Sequence, residues 1–323
     1  MRELTYADAI DEALRQAMEM SKDVIVLGQL VDCKPGIFGT TKGLADKFGR
    51  ERVRDFPNAE AVMTSTAMGA ALAGLRPVLV HPRIDFMMYA MDPIVNWLSL
   101  WRFKSDKESN LPVTIRALVG KGWGQGPQHS KSLHSWFAHL PGLRVAMPAT
   151  AYDAKGLLLE SIFGEGPSLI IENRPLYSMV DAVPEEPYRV RFGKAAVRRA
   201  GADVTLVGMG LSVPFSLRCA ELLAKESIDV EVVDLRTISP IDRETINRSV
   251  GKTKRLAVAD FGWPNAGMAA EIIAGVSEVH ARAFKSAPVR VTLPHGHTPM
   301  SGALEEKYYF NEKTIAAAIR KLF

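Results

Sequence analysis

The feature that most limits what this chain can become is a recurring unit: a short, mostly apolar run, in four of six cases closed by glycine or an acidic residue, with stretches of helical period between the runs. Residues 23–28 (Asp-Val-Ile-Val-Leu-Gly), 76–80, 112–116, 203–208, 229–234 and 255–260 are such runs. A continuously apolar run of five or six residues reads as a strand covered on both faces, which is the habit of parallel sheets. The intervening segments carry helix signals. Over 4–20, Leu4 leads in, Thr5 can cap, and Ala7, Ile10, Ala13, Leu14 and Met18 recur at helical spacing. Small residues fill 67–74, a helix suited to close packing. Residues 212–225 and the apolar stretch from Ala266 are further helices. Strand and helix alternate throughout, so the fold class is α/β, with mainly parallel sheets flanked by helices.

The alternation breaks once. Residues 184–192 hold Pro184, Glu185, Glu186 and Pro187 with no apolar period, the composition of a linker. A chain of 323 residues is long enough for two domains, and the break places them at 1–185 and 193–323 with 186–192 between. No internal repeat is evident.

Composition excludes several function classes. Apolar residues make up 47% and charged residues 24%, and 40 basic residues nearly balance 36 acidic ones. No basic run or aromatic–basic interleaving suits a nucleic acid, so no such partner is expected. No stretch approaches the roughly 18 apolar residues that span a bilayer, and the acidic, amphipathic N-terminal segment is unlike a secretory leader. A cytoplasmic protein without a membrane segment is expected. Cys33 and Cys219 stand far apart and in no ligand spacing, which reads as two free thiols.

Most motifs that could carry chemistry are weak. Gly208-Met209-Gly210 lacks the third glycine of a dinucleotide fingerprint, position 213 being Val213, and reads as a tight strand–helix turn. No phosphate loop exists. His295 and His297 lie two apart without zinc-site context, and no metal ligand is assigned in this chain. Two places are more informative. Glu60 follows Asp55-Phe56-Pro57-Asn58-Ala59 and opens the small-residue helix. It is either a charge favoured by the helix N-terminus or an acid aimed into the cleft at the carboxyl ends of the strands; the residues alone leave both open. The loop from Gly120 to Ser130, with four glycines in seven residues, lets backbone approach a ligand closely and delivers His129. A loop histidine is either a surface residue or a proton carrier.

Taken together, Asp-x-Pro-x-x-Glu with the small-residue helix ending in Gly-Leu-Arg-Pro-Val, Gln128-His129-Ser130, and Trp136-Phe137-Ala138-His139-Leu140-Pro141-Gly142-Leu143 resemble the β subunit of thiamine-diphosphate-dependent 2-oxo-acid dehydrogenases of the pyruvate and branched-chain type. So do the residues from Pro148 to Leu158 and, in the smaller domain, 233–242. The likeness runs in order from about residue 4 to the C-terminus. It implies two transketolase-like domains, a pyrimidine-binding domain at 1–185 and a transketolase C-terminal-like domain at 193–323.

The resemblance implies roles residue by residue. Glu60 matches the acid that hydrogen-bonds the cofactor's aminopyrimidine, which promotes loss of the thiazolium proton. Phe86 matches the aromatic residue against the pyrimidine ring, and His129 the histidine that assists the intermediate and its acyl acceptor. The chain lacks the Gly-Asp-Gly signature that holds diphosphate and Mg2+. An α-type partner is therefore implied, in an α2β2 heterotetramer, with a lipoyl-bearing acyltransferase as acceptor. The alternatives are a two-chain transketolase-like carboligase passing the carbanion or enamine to an aldehyde or ketone, and a non-catalytic scaffold.

The chain also departs from the family pattern. Gly28-Gln29-Leu30 stands where the family has Gly-Glu-Asp, Val80 where it has glutamate, and Phe261 where a glutamate precedes Trp263. The polar stretch from Lys104 to Asn110 replaces a Met-Ser-Gly-Gly-like loop. The Asp and Asn near a structural potassium ion align with Gly164 and Gly166, so that ion is either missing or held by carbonyls alone. A substrate or acceptor different from that of the housekeeping complexes is expected.

Overall fold

The computed structural model describes residues 2–105, 110–122 and 124–323. Residues 106–109 of the polar stretch and Trp123 of the glycine-rich loop lie outside the described residues. The chain divides into two compact units. One comprises Met1–Gly120 and Trp136–Phe192, the other Lys121–Ser135 and Gly193–Phe323. Each is a mainly parallel sheet flanked by helices. The glycine-rich loop, although its sequence falls inside the first domain, thus belongs with the second unit.

In the first unit the strands are β1 (Arg2–Thr5), β2 (Val24–Gly28), β3 (Val53–Asp55), β4 (Arg76–His81), β5 (Thr114–Val119), β6 (Arg144–Ala146), β7 (Ser168–Asn173) and β8 (Val180–Val183). The main sheet runs β6-β7-β5-β4-β2-β3, all parallel. Strands β1 and β8 form a separate antiparallel ribbon, which the sequence pattern does not announce because both are short and half exposed. The helix Tyr6–Met20 begins where expected, Thr5 accepting from the amide of Asp8, and packs along the helix Ala151–Ile162.

Two boundaries differ from the pattern for simple reasons. Pro112 has no N–H to give a ladder, so β5 starts at Thr114 and pairs with β7 from Thr114–Ser168 to Val119–Asn173. The small-residue helix runs Glu60–Leu72 and stops at Ala73, before Gly74 turns into positive φ (+94°). Residues 184–192 hold no helix or strand, yet they are strapped to the first unit. Lys155 Nζ donates to the carbonyls of Pro184 (2.7 Å) and Glu185 (3.1 Å), and Tyr188 stacks on Tyr152 at 4.5 Å.

The second unit contains β9 (Ala196–Arg199), β10 (Val204–Gly208), β11 (Val230–Asp234), β12 (Thr237–Ser239), β13 (Leu256–Asp260) and β14 (Val289–Thr292). Its five-stranded sheet has the order β14-β13-β10-β11-β9, parallel except that β9 runs antiparallel to β11. Helices Ser212–Ala224, Arg243–Thr253, Met268–His280 and Glu312–Arg320 cover it. Among the described residues no helix is long and apolar enough to cross a membrane.

The first sheet buries one full ion pair. Arg116 and Glu172 have no exposed side-chain surface to speak of, and the guanidinium meets the carboxylate at 2.6 and 2.8 Å while also donating to Thr40 Oγ1 at 3.0 Å. The Tyr177 hydroxyl donates to the same carboxylate. Burial works against the guanidinium charge, but Glu172 outweighs it and holds the proton more firmly than on a free arginine. Arg116→Met strands the buried carboxylate and is expected to cost about 3–5 kcal/mol in urea unfolding. The double change with Glu172→Met should recover most of that loss, because no buried charge is then left alone.

Candidate functional site

Parallel α/β sheets present their ligands at the carboxyl ends of their strands. In the first unit this edge is shaped by a tight approach between β2 and β4. Gly28 has φ +147°, and a Cβ there would lie 2.3 Å from the carbonyl oxygen of Val80, so no other residue fits. Beyond it the Gln29 amide donates to that same carbonyl at 3.3 Å, and the Phe56 amide donates to Gly28 O at 2.7 Å. Leu30 turns through φ +61°. The strain at Leu30 is held by Asp55, at the end of β3, whose Oδ1 accepts from the amides of Val31 (2.5 Å) and Asp32 (3.1 Å).

Glu60 stands at this corner as the first residue of the helix Glu60–Leu72, half-buried. Its helix has no side-chain cap, since Ala59 occupies the capping position. A surface charge answering the helix dipole would need nothing more, but Glu60 Oε1 also accepts from Gln29 Nε2 at 3.2 Å. The carboxylate is therefore tied to the end of β2 as well as to its own helix. Phe86 lies on the short helix Ile84–Met87 just past β4 and is 37% exposed, while Ile84 and Met87 beside it are buried. The Glu60 helix packs against the turns at Met88–Ala90 and Pro93–Leu98 that follow. A carboxyl group at one edge and an aromatic side chain on the neighbouring connection suit a flat nitrogen heterocycle. The donor set of this corner fits the pyrimidine end of the expected cofactor.

His129 belongs to the second unit. Gly122, Gly124 and Gly126 all have positive φ, and Gly126 is pressed against Met300, whose Cγ would be 2.5 Å from an added Cβ. His129 Nδ1 lies 3.1 Å from the carbonyl of Gln125. A carbonyl can only accept, so Nδ1 carries the hydrogen, and in the neutral ring Nε2 bears the lone pair. The segment is fastened at both feet. At one, Lys121 Nζ sits 4.4 Å from the ring centre of Tyr309 and 5.3 Å from those of Phe215 and Phe261, and the Gly122 amide donates to Glu305 at 2.7 Å. Burial pulls the Lys121 ammonium down, against the pull of Glu305. At the other foot, His134 Nε2 lies 2.9 Å from Asp260 Oδ1, both wholly buried. Burial opposes the Asp260 charge, but His134 and the amides of Gly262 and Ala269 hold its carboxyl below the usual range.

The structure groups Glu60 and Phe86 on one sheet edge of the first unit and carries His129 on the second. Gln29, Asp55, Lys121, His134 and Asp260 are partners that the sequence reading did not single out for these roles. Asp55 had a signal in its place in Asp-x-Pro-x-x-Glu, and Gln29 in its departure from the family's Gly-Glu-Asp; the roles of Lys121, His134 and Asp260 depend on contacts between residues far apart in the chain.

The remaining candidates are structural. Gly208-Met209-Gly210 is a tight turn closed by Ser212, whose Oγ accepts from the Met209 amide at 2.8 Å. His297 stands edge-on to Trp263, and no cluster of three or more His, Cys, Asp or Glu among the described residues could hold a metal. The corner where a potassium ion would be expected does not fit one. Arg76 Nη1 donates to the carbonyls of Ile162 (3.0 Å) and Gly164 (3.1 Å), and Arg144 Nη2 donates to that of Gly166 (3.2 Å). A Cβ at Gly164 would meet Arg144 Nη2 at 2.3 Å. Guanidinium groups therefore hold the carbonyl oxygens of this corner, surroundings that do not suit a cation.

Comparison with known proteins agrees with this architecture. Residues 2–179 match the transketolase pyrimidine-binding domain and residues 193–315 the transketolase C-terminal domain. The chain belongs to this transketolase-like family, among the β subunits of 2-oxo-acid and acetoin dehydrogenases. It is 40% identical to the acetoin:2,6-dichlorophenolindophenol oxidoreductase subunit beta of Cupriavidus necator, covering 99% of this chain and 97% of that one. With the 2-oxoisovalerate dehydrogenase subunit beta of Bacillus subtilis it shares 36% identity over 100% and 99% of the two chains. A solved split gene transketolase chain, described as an inactive β4 tetramer, superposes with a TM-score of 0.77 at 25% identity over 99% of this chain and 98% of that one.

The arginine corner has a direct test. The unfolding midpoint of the purified chain in potassium chloride is expected to equal that in choline chloride of the same ionic strength, within about 1 °C. A specific bound ion would instead raise the midpoint with its concentration.

Proposed function

We propose that this chain is the β-type subunit of a two-chain thiamine-diphosphate enzyme that decarboxylates a 2-oxo acid and passes the acyl unit to a lipoyl acceptor. The observation that carries the reading is the end-to-end likeness to such β subunits together with a tethered carboxyl group at Glu60, the position where they need an acid. In this reading 1–185 is the pyrimidine-binding domain, 186–192 the linker and 193–323 the C-terminal-like domain.

Thiamine diphosphate held with its pyrimidine at Glu60 and Phe86 would supply a carbon nucleophile and an electron sink for the loss of CO2 from a 2-oxo acid. The chain's own part is to hold and protonate. Glu60 hydrogen-bonds the ring nitrogen, and Phe86 supports the ring and keeps water from that side. His129 offers Nε2 to a proton at the intermediate and its acceptor, with Nδ1 kept in place by Gln125 O. A lipoyl disulfide would serve as the oxidant: one sulfur would carry away the acyl group as its bond to the cofactor broke, and the other, freed from the S–S bond, would take a proton. Without a Gly-Asp-Gly segment in this chain, the diphosphate and Mg2+ fall to an α-type partner, in an α2β2 assembly.

Acetoin is a hydroxyketone, not an acid, yet the bond to be broken again joins the carbonyl carbon to its neighbour. Acetoin therefore belongs in the same substrate panel. The likeness to a split gene transketolase favours a second reading, carboligation, in which the same carbon attacks an aldehyde or ketone.

The test is turnover by this chain co-purified with an α-type chain, with thiamine diphosphate and Mg2+, over 2-oxo acids and acetoin, with and without a lipoylated domain. Stimulation by that domain is expected. Glu60→Gln should lower kcat by about 100-fold or more, and His129→Ala should slow acyl transfer by a similar factor. Undiminished turnover in Glu60→Gln would remove the assigned role. A new carbon–carbon bond formed without a lipoyl partner would establish carboligation instead.

A further inference from the structure

Around Glu60, the residue whose position is most fully specified is Gln29. It is 8% exposed. Its backbone amide is bonded to Val80 O, Gly28 before it is laddered to Val80 on β4, and Asp55 fastens the two amides that follow Leu30. A side chain leaving a backbone fixed on both sides has few directions open to it, and this one places Nε2 3.2 Å from Glu60 Oε1.

We propose that Gln29 is the positioning residue of Glu60: its amide occupies Oε1 and so leaves Oε2 as the oxygen that meets the ring nitrogen. The inference rests on the reading of Glu60 as the pyrimidine's partner and adds the orientation of its carboxyl group. An oxygen that already accepts from an amide is a poor place for the acid proton, so a proton on Glu60 resides on the oxygen turned to the ligand. An amide is also a donor at every pH and takes no proton itself. A glutamate at position 29 has the same shape but sets a second carboxylate within hydrogen-bonding distance. Two carboxylates in contact share a proton, so its placement on Glu60 depends on pH in a way that an amide partner's does not.

Other titratable groups on the packed elements have tasks of their own. Asp55 at the end of β3 is engaged by the turn after β2, to which Asp32 belongs, and His81 on β4 is bonded to Thr64 and kept neutral by burial, its pKa pulled down to about 3. Asp92 accepts from Asn96 at 2.7 Å, and Tyr89 is 75% exposed.

The experiment compares wild type, Gln29→Leu, Gln29→Glu and Glu60→Gln, each assembled with the α-type chain. Affinity for thiamine diphosphate with Mg2+ is read from tryptophan fluorescence between pH 5.5 and 8.5, and assembly is checked by size. Gln29→Leu is expected to bind about tenfold more weakly. In Gln29→Glu the pH at which affinity changes should move up by about one unit, a displacement that mere packing would not cause. If both Gln29 variants bind as wild type at every pH while Glu60→Gln binds poorly, the positioning role is wrong and the reading of Glu60 stands. If Glu60→Gln itself binds and turns over normally, both fall.

Discussion

The organisation of the first unit's candidate site depends on one close contact, the approach of the β2 backbone to β4 at Gly28. Parallel strands are held at their ladder spacing, so a residue that faces its neighbour's carbonyl at 2.3 Å from where its Cβ would be must have no Cβ. Because Gly28 can take that place, the chain leaves β2 early, and Gln29 and the turn at Leu30 fold over the sheet edge. Asp55 converts the departure into a fixed corner by accepting the next two amides. Glu60 then meets a stationary partner. Remove the close approach and neither the direction of Gln29 nor the surroundings of Glu60 is determined.

The same principle of remote fastening governs the second unit. His129 lies in a loop whose glycines adopt conformations other residues avoid, and such a loop has no preferred shape of its own. Its shape comes from Lys121 among three aromatic rings, from Glu305 at Gly122, and from the buried pair His134–Asp260. Asp260 and Phe261 are consecutive at the end of β13, so one strand terminus receives both feet of the segment. This gives Phe261 a use where the family pattern has glutamate: it contributes aromatic surface to a lysine that would otherwise have paired with a carboxylate.

Charge is handled alike at several places, by fixed groups of the chain. Arg116 satisfies Glu172 inside the sheet, Arg76 and Arg144 satisfy three carbonyls at a helix end, and an amide stands beside Glu60 where a second acid would compete. Each arrangement keeps a charge compensated in surroundings where water cannot do so. The departures at Gln29, Gly164 and Gly166 are thus changes in how charge is balanced, with the sheet and helices around them intact.

The sequence by itself determined the strands and helices whose apolar spacing is local: the short apolar runs of the two sheets and the helix begun by Thr5. Periodicity and capping act over a few residues, so they can be read along the chain. The β1–β8 ribbon, the membership of Lys121–Ser135 in the second unit, the guanidinium groups at Gly164 and Gly166, and the tie between Gln29 and Glu60 were decided only by the tertiary structure. Each joins residues tens to hundreds of positions apart, and hydrogen bonds and ion pairs are made over a few ångströms of space whatever the distance along the chain.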